Sequence, residues 1–185
     1  MKRILLLFLI LLALALPALA EQEAADAEDA VPGVTRTLEI KKGTAALTTR
    51  TNIVGVKGTR RKSLWFQVQE VTDLGSSKVT DRCLRISYLS QNGEYSATLD
   101  PVEIDAAIAT LRYIEAHAGS LNDFTDICYS TKNRGRYFET GLAYSGEKRK
   151  DLELYFRLNS TYDIAVPFSR LNEVIEAFQT VKALL

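Results

Sequence analysis

Few groups in this chain are able to do covalent chemistry. There is one histidine, His117, and there are two cysteines, Cys83 and Cys128. A serine or cysteine nucleophile needs a base beside it to take its proton, and His117 is the one imidazole in the sequence. It falls in the last turn of a segment with helical periodicity, just before Ala118-Gly119. A cation there complements the negative end of the helix dipole, so its position reads as structural. No Gly-x-Ser-x-Gly, Gly-rich phosphate loop or His-Glu-x-x-His occurs. Carboxylates are the remaining source of acid–base chemistry. Asp123 and Asp126 flank Phe124 at a loop-to-strand junction, where Asp is ordinary. Asp100, Glu103 and Asp105 gather at a helix start, where capping and dipole complementarity account for them. Hydrolysis by such groups requires two carboxylates facing across a cleft, a matter of tertiary structure. Two cysteines and one distant histidine do not make a zinc ligand set, and neither metal nor cofactor is expected.

Non-covalent recognition has more material. Between Val34 and Lys62 lie Arg36, Lys41, Lys42, Arg50, Lys57, Arg60, Arg61 and Lys62, against Glu39 alone. A surface of that sign attracts anionic partners, although Lys and Arg also keep strand edges from pairing with other chains. Trp65 follows directly, so Lys57, Arg60, Arg61, Lys62 and Trp65 form the expected ligand contact. Tyr88, Tyr95, Tyr129, Tyr137, Tyr144, Tyr155 and Tyr162 fall mainly in predicted strands, near Arg134, Arg136 and Arg157. They suit either stacking on a ligand or cross-strand pairing.

The elements that must position these groups begin with a targeting segment. Met1-Lys2-Arg3 is a positive start, Ile4 to Leu16 is an apolar run, and Ala18-Leu19-Ala20 supplies small residues at a cleavage site. This is the pattern of a secretory signal over 1–20, cleaved after Ala20, and its apolar core is too short for a bilayer span. The mature chain is then expected in the periplasm or outside the cell, without a transmembrane segment. No cysteine follows the apolar run to accept a lipid anchor. Residues 21–33 carry Glu21, Glu23, Asp26, Glu28 and Asp29 among alanines and read as a disordered acidic leader. Beyond it the chain is mildly basic. An oxidising destination and an even cysteine count favour a Cys83–Cys128 disulfide, which on the loop-entropy account stabilises by roughly 3–4 kcal/mol. The alternative is two buried thiols in neighbouring strands.

An internal repeat organises the rest. Tyr88, Asn92, Tyr95, Ala97 and Leu99 superimpose without gaps on Tyr155, Asn159, Tyr162, Ile164 and Val166. Ile104, Ala107, Ile108, Leu111 and Ile114 then match Leu171, Val174, Ile175, Phe178 and Val181, apolar in both copies at i, i+3, i+4, i+7 spacing. Each copy reads as strand, turn at Asn, strand, helix. Asp100-Pro101-Val102-Glu103 is a complete helix start, and the first helix is predicted from Pro101 to about Ala118. The second is predicted from near Ser169 to the chain end. Period-two alternation places further strands upstream, at Val34 to Ile40, Ala45 to Val54, Leu64 to Val68, Phe124 to Thr131 and Arg136 to Tyr144.

The expected fold is α+β: two tandem β-β-β-β-α units over 34–119 and 120–185, making one compact pseudo-symmetric domain of antiparallel sheets, each covered by one helix. That element order is similar to the layout of Whirly and PUR-type single-stranded nucleic-acid-binding proteins. The similarity is one of order, with no shared motif to carry binding residues across, and an export signal argues against nucleic acid as partner. The functional expectation is an exported, non-catalytic protein that binds an anionic ligand or an envelope protein. The alternatives are a small envelope hydrolase using an Asp/Glu pair and a structural subunit of a cell-envelope complex.

Overall fold

The structure, a computed structural model, describes residues 34–41, 44–59, 62–120, 127–145, 151–159 and 163–185. The expected signal and leader, together with Arg60, Arg61, Asp123, Asp126 and Tyr162, lie outside the described residues. The described residues form an α+β fold, with nine strands in two antiparallel sheets and two helices.

The first sheet is a meander of five strands, β1 (Thr35–Lys41), β2 (Thr44–Lys57), β3 (Ser63–Asp73), β4 (Lys78–Ser90) and β5 (Gly93–Leu99). Helix α1 (Pro101–His117) follows it. The second sheet is a meander of four, β6 (Cys128–Asn133), β7 (Arg136–Ser145), β8 (Asp151–Leu158) and β9 (Asp163–Pro167). Helix α2 (Leu171–Lys182) closes the chain after a short 3-10 turn at Phe168–Arg170. The first sheet therefore has five strands where four were expected, because the early basic segment forms a full hairpin, β1–β2.

Local chemistry explains the boundaries. Pro101 opens α1 where its missing N–H costs nothing, and Glu103 reaches back to accept from the Asp100 N–H at 2.8 Å. The β8–β9 hairpin turns at Asn159 with φ 49°, and β6–β7 turns at Arg134 and Gly135 with φ 51° and 78°. Both helices bury the predicted stripe: Ile104, Ala107, Leu111 and Ile114 in α1, and Leu171, Val174, Ile175, Phe178 and Val181 in α2.

The helices are exchanged between the halves. Helix α1 follows the first sheet in sequence but packs mainly along β6 and β7, whereas α2 lies across β2 and β3, and the two helices touch. Their stripes thus feed one continuous core that joins the apolar faces of both sheets. Phe178 is its pivot, edge-on to Phe66 of β3 at 5.0 Å between ring centres and to Phe138 of β7 at 6.5 Å. The β2–β3 loop also crosses to the other half. A Cβ on Gly58 would stand 2.7 Å from the Ala165 carbonyl oxygen of β9, and Thr59 Oγ1 donates to that same oxygen at 3.2 Å.

Replacing Phe178 by Ala removes an aromatic shared by both sheets, and a loss of about 3–5 kcal/mol in urea unfolding is expected. Val102→Ala, at a position 79% exposed, serves as control and should change stability by no more than about 0.5 kcal/mol.

Candidate ligand-binding face

The first sheet is buried on both sides along its centre. In β3, Leu64, Phe66 and Val68 face the core, and Gln67 on the opposite face is buried as well. Residues 83–88 of β4 are buried without interruption. The strand register assembles a polar face from alternate residues. Gly55, Trp65, Ser87 and Ser96 form one cross-strand row, and Asn52, Gln67, Arg85 and Thr98 form the next. Arg50, Gln69 and Cys83 form a third. A bulge between Asn52 and Val54 shifts the alternation of β2, so that Arg50, Asn52 and Gly55 all stand on this side.

Arginines converge on that face from three elements. Arg85, only 3% exposed, donates through one terminal nitrogen to Gln67 and, at 2.8 Å, to Glu94 of β5. Its Nε is buried without a hydrogen-bond partner, as is the Thr98 hydroxyl beside it in the same row. Arg50 of β2 donates to the Gln69 side chain at 3.2 Å, and Arg136 of β7 donates to Ser96. Burial and the nearby charges of Arg85 and Arg136 push the Arg50 guanidinium below its ordinary value, with Glu94 and Glu39 opposing. Burial drives the Glu94 carboxyl up, but hydrogen bonding to Arg85 and its charge outweigh this and hold it below the ordinary range. Arg85 and Arg50 both act on this one carboxylate and Arg136 acts on Arg50, an arrangement with donor capacity to spare for an anion.

The neighbouring Arg134 is differently placed, because its charge is already met. From its left-handed position in the β6–β7 turn it forks to Asp81, reaches Asp100 at 3.0 Å, and lies 3.1 Å from the Cys83 sulfur. This clasp ties the second sheet to β4 and to the start of α1. The expected disulfide is not made: Cys83 and Cys128 are free thiols, one buried and one exposed. The Cys83 sulfur is met by the Arg134 guanidinium rather than by a second sulfur. Burial pushes the Cys83 thiol up to about 11, with Asp81 and Asp100 adding to the effect and Arg134 opposing it.

The outer face of the second sheet carries a closed network. Glu139 accepts from the Tyr137 hydroxyl, from the Tyr155 hydroxyl at 2.8 Å and from Arg157 at 3.2 Å. Arg157 also forks to Asp163. Burial raises the Glu139 carboxyl, yet the two tyrosine hydroxyls and Arg157 together bring it below the ordinary range. Such a carboxylate is a poor proton donor near neutral pH. Glu103 is engaged by Thr131 and Asn133 as well as by the Asp100 N–H. His117 stacks on Tyr113 at 4.0 Å and contacts the Tyr113 carbonyl, as a group belonging to the end of its own helix.

The contact residues expected from sequence are only partly brought together. Lys57 is exposed on the same face as Trp65, whose ring lies across Gly55, where a Cβ would come within 2.4 Å of it. Lys62 stands on the opposite side, 5.9 Å over the Tyr88 ring. Arg60 and Arg61 are outside the described residues. Sequence reasoning missed Gln67, Arg85, Ser87, Ser96 and Thr98, whose period-two placement is also that of solvent-facing residues. Among the described residues no cluster of metal-binding side chains occurs, and no helix is long and apolar enough to cross a membrane. No protein-family model matches the chain, and no curated protein matches its sequence.

Two measurements follow from this geometry. In the native protein a maleimide should label Cys128 quickly and Cys83 only after unfolding, with two thiols titrating in denaturant without reductant. Glu139 has a depressed folded pKa, so its contribution to stability is full above the unfolded value near 4.5 and is lost as pH falls through the folded value. Thermal unfolding of Glu139→Gln should lie below that of the unaltered protein near neutral pH, and the gap should shrink steadily in acid below about pH 4.

Proposed function

We propose that this chain is an exported, non-catalytic binding protein, periplasmic or secreted, that recognises an anionic ligand on the polar face of its five-stranded sheet. The convergence of Arg50, Arg85 and Arg136 around the unpartnered Arg85 Nε carries the reading. Burying a guanidinium with an unmet donor is costly unless something completes its coordination. Lys57 and Trp65 share that face and would extend the contact, while the signal-like N-terminus supports export. The matched helix stripes further support two sheet-plus-helix modules of common pattern, the first extended by the β1–β2 hairpin. The Glu139 network counts against a carboxylate hydrolase on the second sheet.

One observation favours a second reading, a structural subunit of an envelope complex. Edge strand β1 exposes Leu38 (57%) and Ile40 (71%) on an unpaired sheet border, a ready surface for pairing with another strand.

Replacing Arg50 and Arg136 together by Ala should weaken retention on a sulfated matrix and flatten its salt dependence. Removing Arg36 and Arg112, equal in charge but away from the polar face, should alter retention much less. Equal effects of the two pairs would reduce the binding to general surface charge and remove the proposed site. Cell fractionation tests the address, and recovery in the cytoplasmic fraction would overturn it.

A further inference from the structure

We infer that the group held on this face is a tetrahedral dianionic oxyanion, phosphoryl or sulfuryl, rather than a carboxylate. The inference rests on the anion-binding reading above and makes it chemically specific.

The charge count is the first reason. Arg50, Arg85 and Arg136 lie close enough to act on one another, with Glu94 as the near carboxylate and Glu39 the more weakly felt one. Glu94 is already engaged by Arg85. Against Glu94 alone the three arginines leave two positive charges, which a dianion cancels and a monoanion only halves; the more weakly felt Glu39 narrows that preference.

Direction is the second reason. A planar carboxylate is satisfied by a single guanidinium fork with two parallel N–H donors. Here the donors come from β2, β4 and, across the sheet border, β7, so they approach from several sides. The hydroxyls of Ser87, Ser96 and Thr98 stand among them on the same face, and the Thr98 hydroxyl is buried without a partner. Such a three-dimensional donor set fits an oxyanion whose oxygens point to the corners of a tetrahedron.

The third reason is the built floor. Gln67, Arg85, Ser87, Ser96 and Thr98 are each more than nine-tenths buried. Arg50, Arg136 and Trp65 are half-buried around them, and Glu94 is exposed at the border. Arg50 and Arg136 at the rim are the donors a small anion would meet first, with the buried charge of Arg85 beneath them. Arg134 takes no part, because Asp81 and Asp100 already hold it.

The test is calorimetric titration of the purified protein at low ionic strength near neutral pH with four probes: inorganic phosphate, sulfate, acetate and glycerol 3-phosphate. Phosphate and sulfate should bind with one-to-one stoichiometry, at least about tenfold more tightly than acetate. Arg50→Gln and Arg136→Gln should each weaken them about tenfold to a hundredfold, the usual effect of losing a charged hydrogen bond, and Arg36→Gln should not. Glycerol 3-phosphate separates the sources: binding as tight as phosphate assigns an esterified ligand, and exclusion assigns the free ion, both within the proposal. Acetate binding as tightly as phosphate, with the same sensitivity to Arg50→Gln, would overturn the tetrahedral assignment and leave an anion site standing. Binding of none of the four probes, or equal losses in Arg36→Gln, would overturn the site itself. If either arginine variant fails to fold, the ranking of the four anions on the unaltered protein decides.

Discussion

Phe178 stands where both sheets need the same side chain. It belongs to the last helix, touches Phe66 in the first sheet and Phe138 in the second, and so makes one core from what the chain order presents as two modules. The exchange of helices follows from this sharing. Neither sheet closes its apolar face with the helix that comes next in sequence alone, because α1 is turned toward β6 and β7 while α2 returns to β2 and β3. A sheet face without its helix would leave a row of large apolar side chains in water, at about 25 cal/mol for each Å² exposed. The halves are therefore interdependent, and their polar faces are set by how they meet.

That meeting creates the electrostatic situation of the polar face. The β6–β7 hairpin brings Arg134 and Arg136 to the border of β5, one onto aspartates and the other onto Ser96. Arg134 adopts a left-handed backbone conformation uncommon outside Gly, Asn and Asp, and its paired charges hold the turn against β4 and α1. Arg136 finds a hydroxyl in place of a carboxylate and adds its charge to Arg50 and Arg85. One clasp is internally complete, while the adjoining cluster is short of negative charge and of acceptors. Charge that folding leaves unbalanced at a built, polar surface is what a ligand can balance.

The residue pattern announced much of the framework. Asp100-Pro101-Val102-Glu103 marked the start of α1, the apolar stripes gave the buried face of each helix, and Asn159 marked a hairpin. These are local signals, decided within one or two turns of chain. Val34 to Ile40 and Ala45 to Val54 both read as strands from their alternation and both are strands, so the first sheet holds five where the expected unit had four. The disulfide was misjudged for a different reason. Cysteine count and compartment bear on oxidation, while a bridge is decided by separation, which is a matter of tertiary structure.

By itself the sequence determined most of the strands, the two amphipathic helices, the cap of the first and the scarcity of reactive groups, because each depends on neighbours near in the chain. It also placed Arg50, Arg85 and Arg136 on strands, though as separate polar positions of alternating segments. Only the tertiary structure decided that these arginines share one face, that Arg85 is buried and that its Nε goes unmet. The reason is physical: period-two alternation says which side of a strand a residue occupies, but burial and charge density depend on what another part of the chain lays against that side.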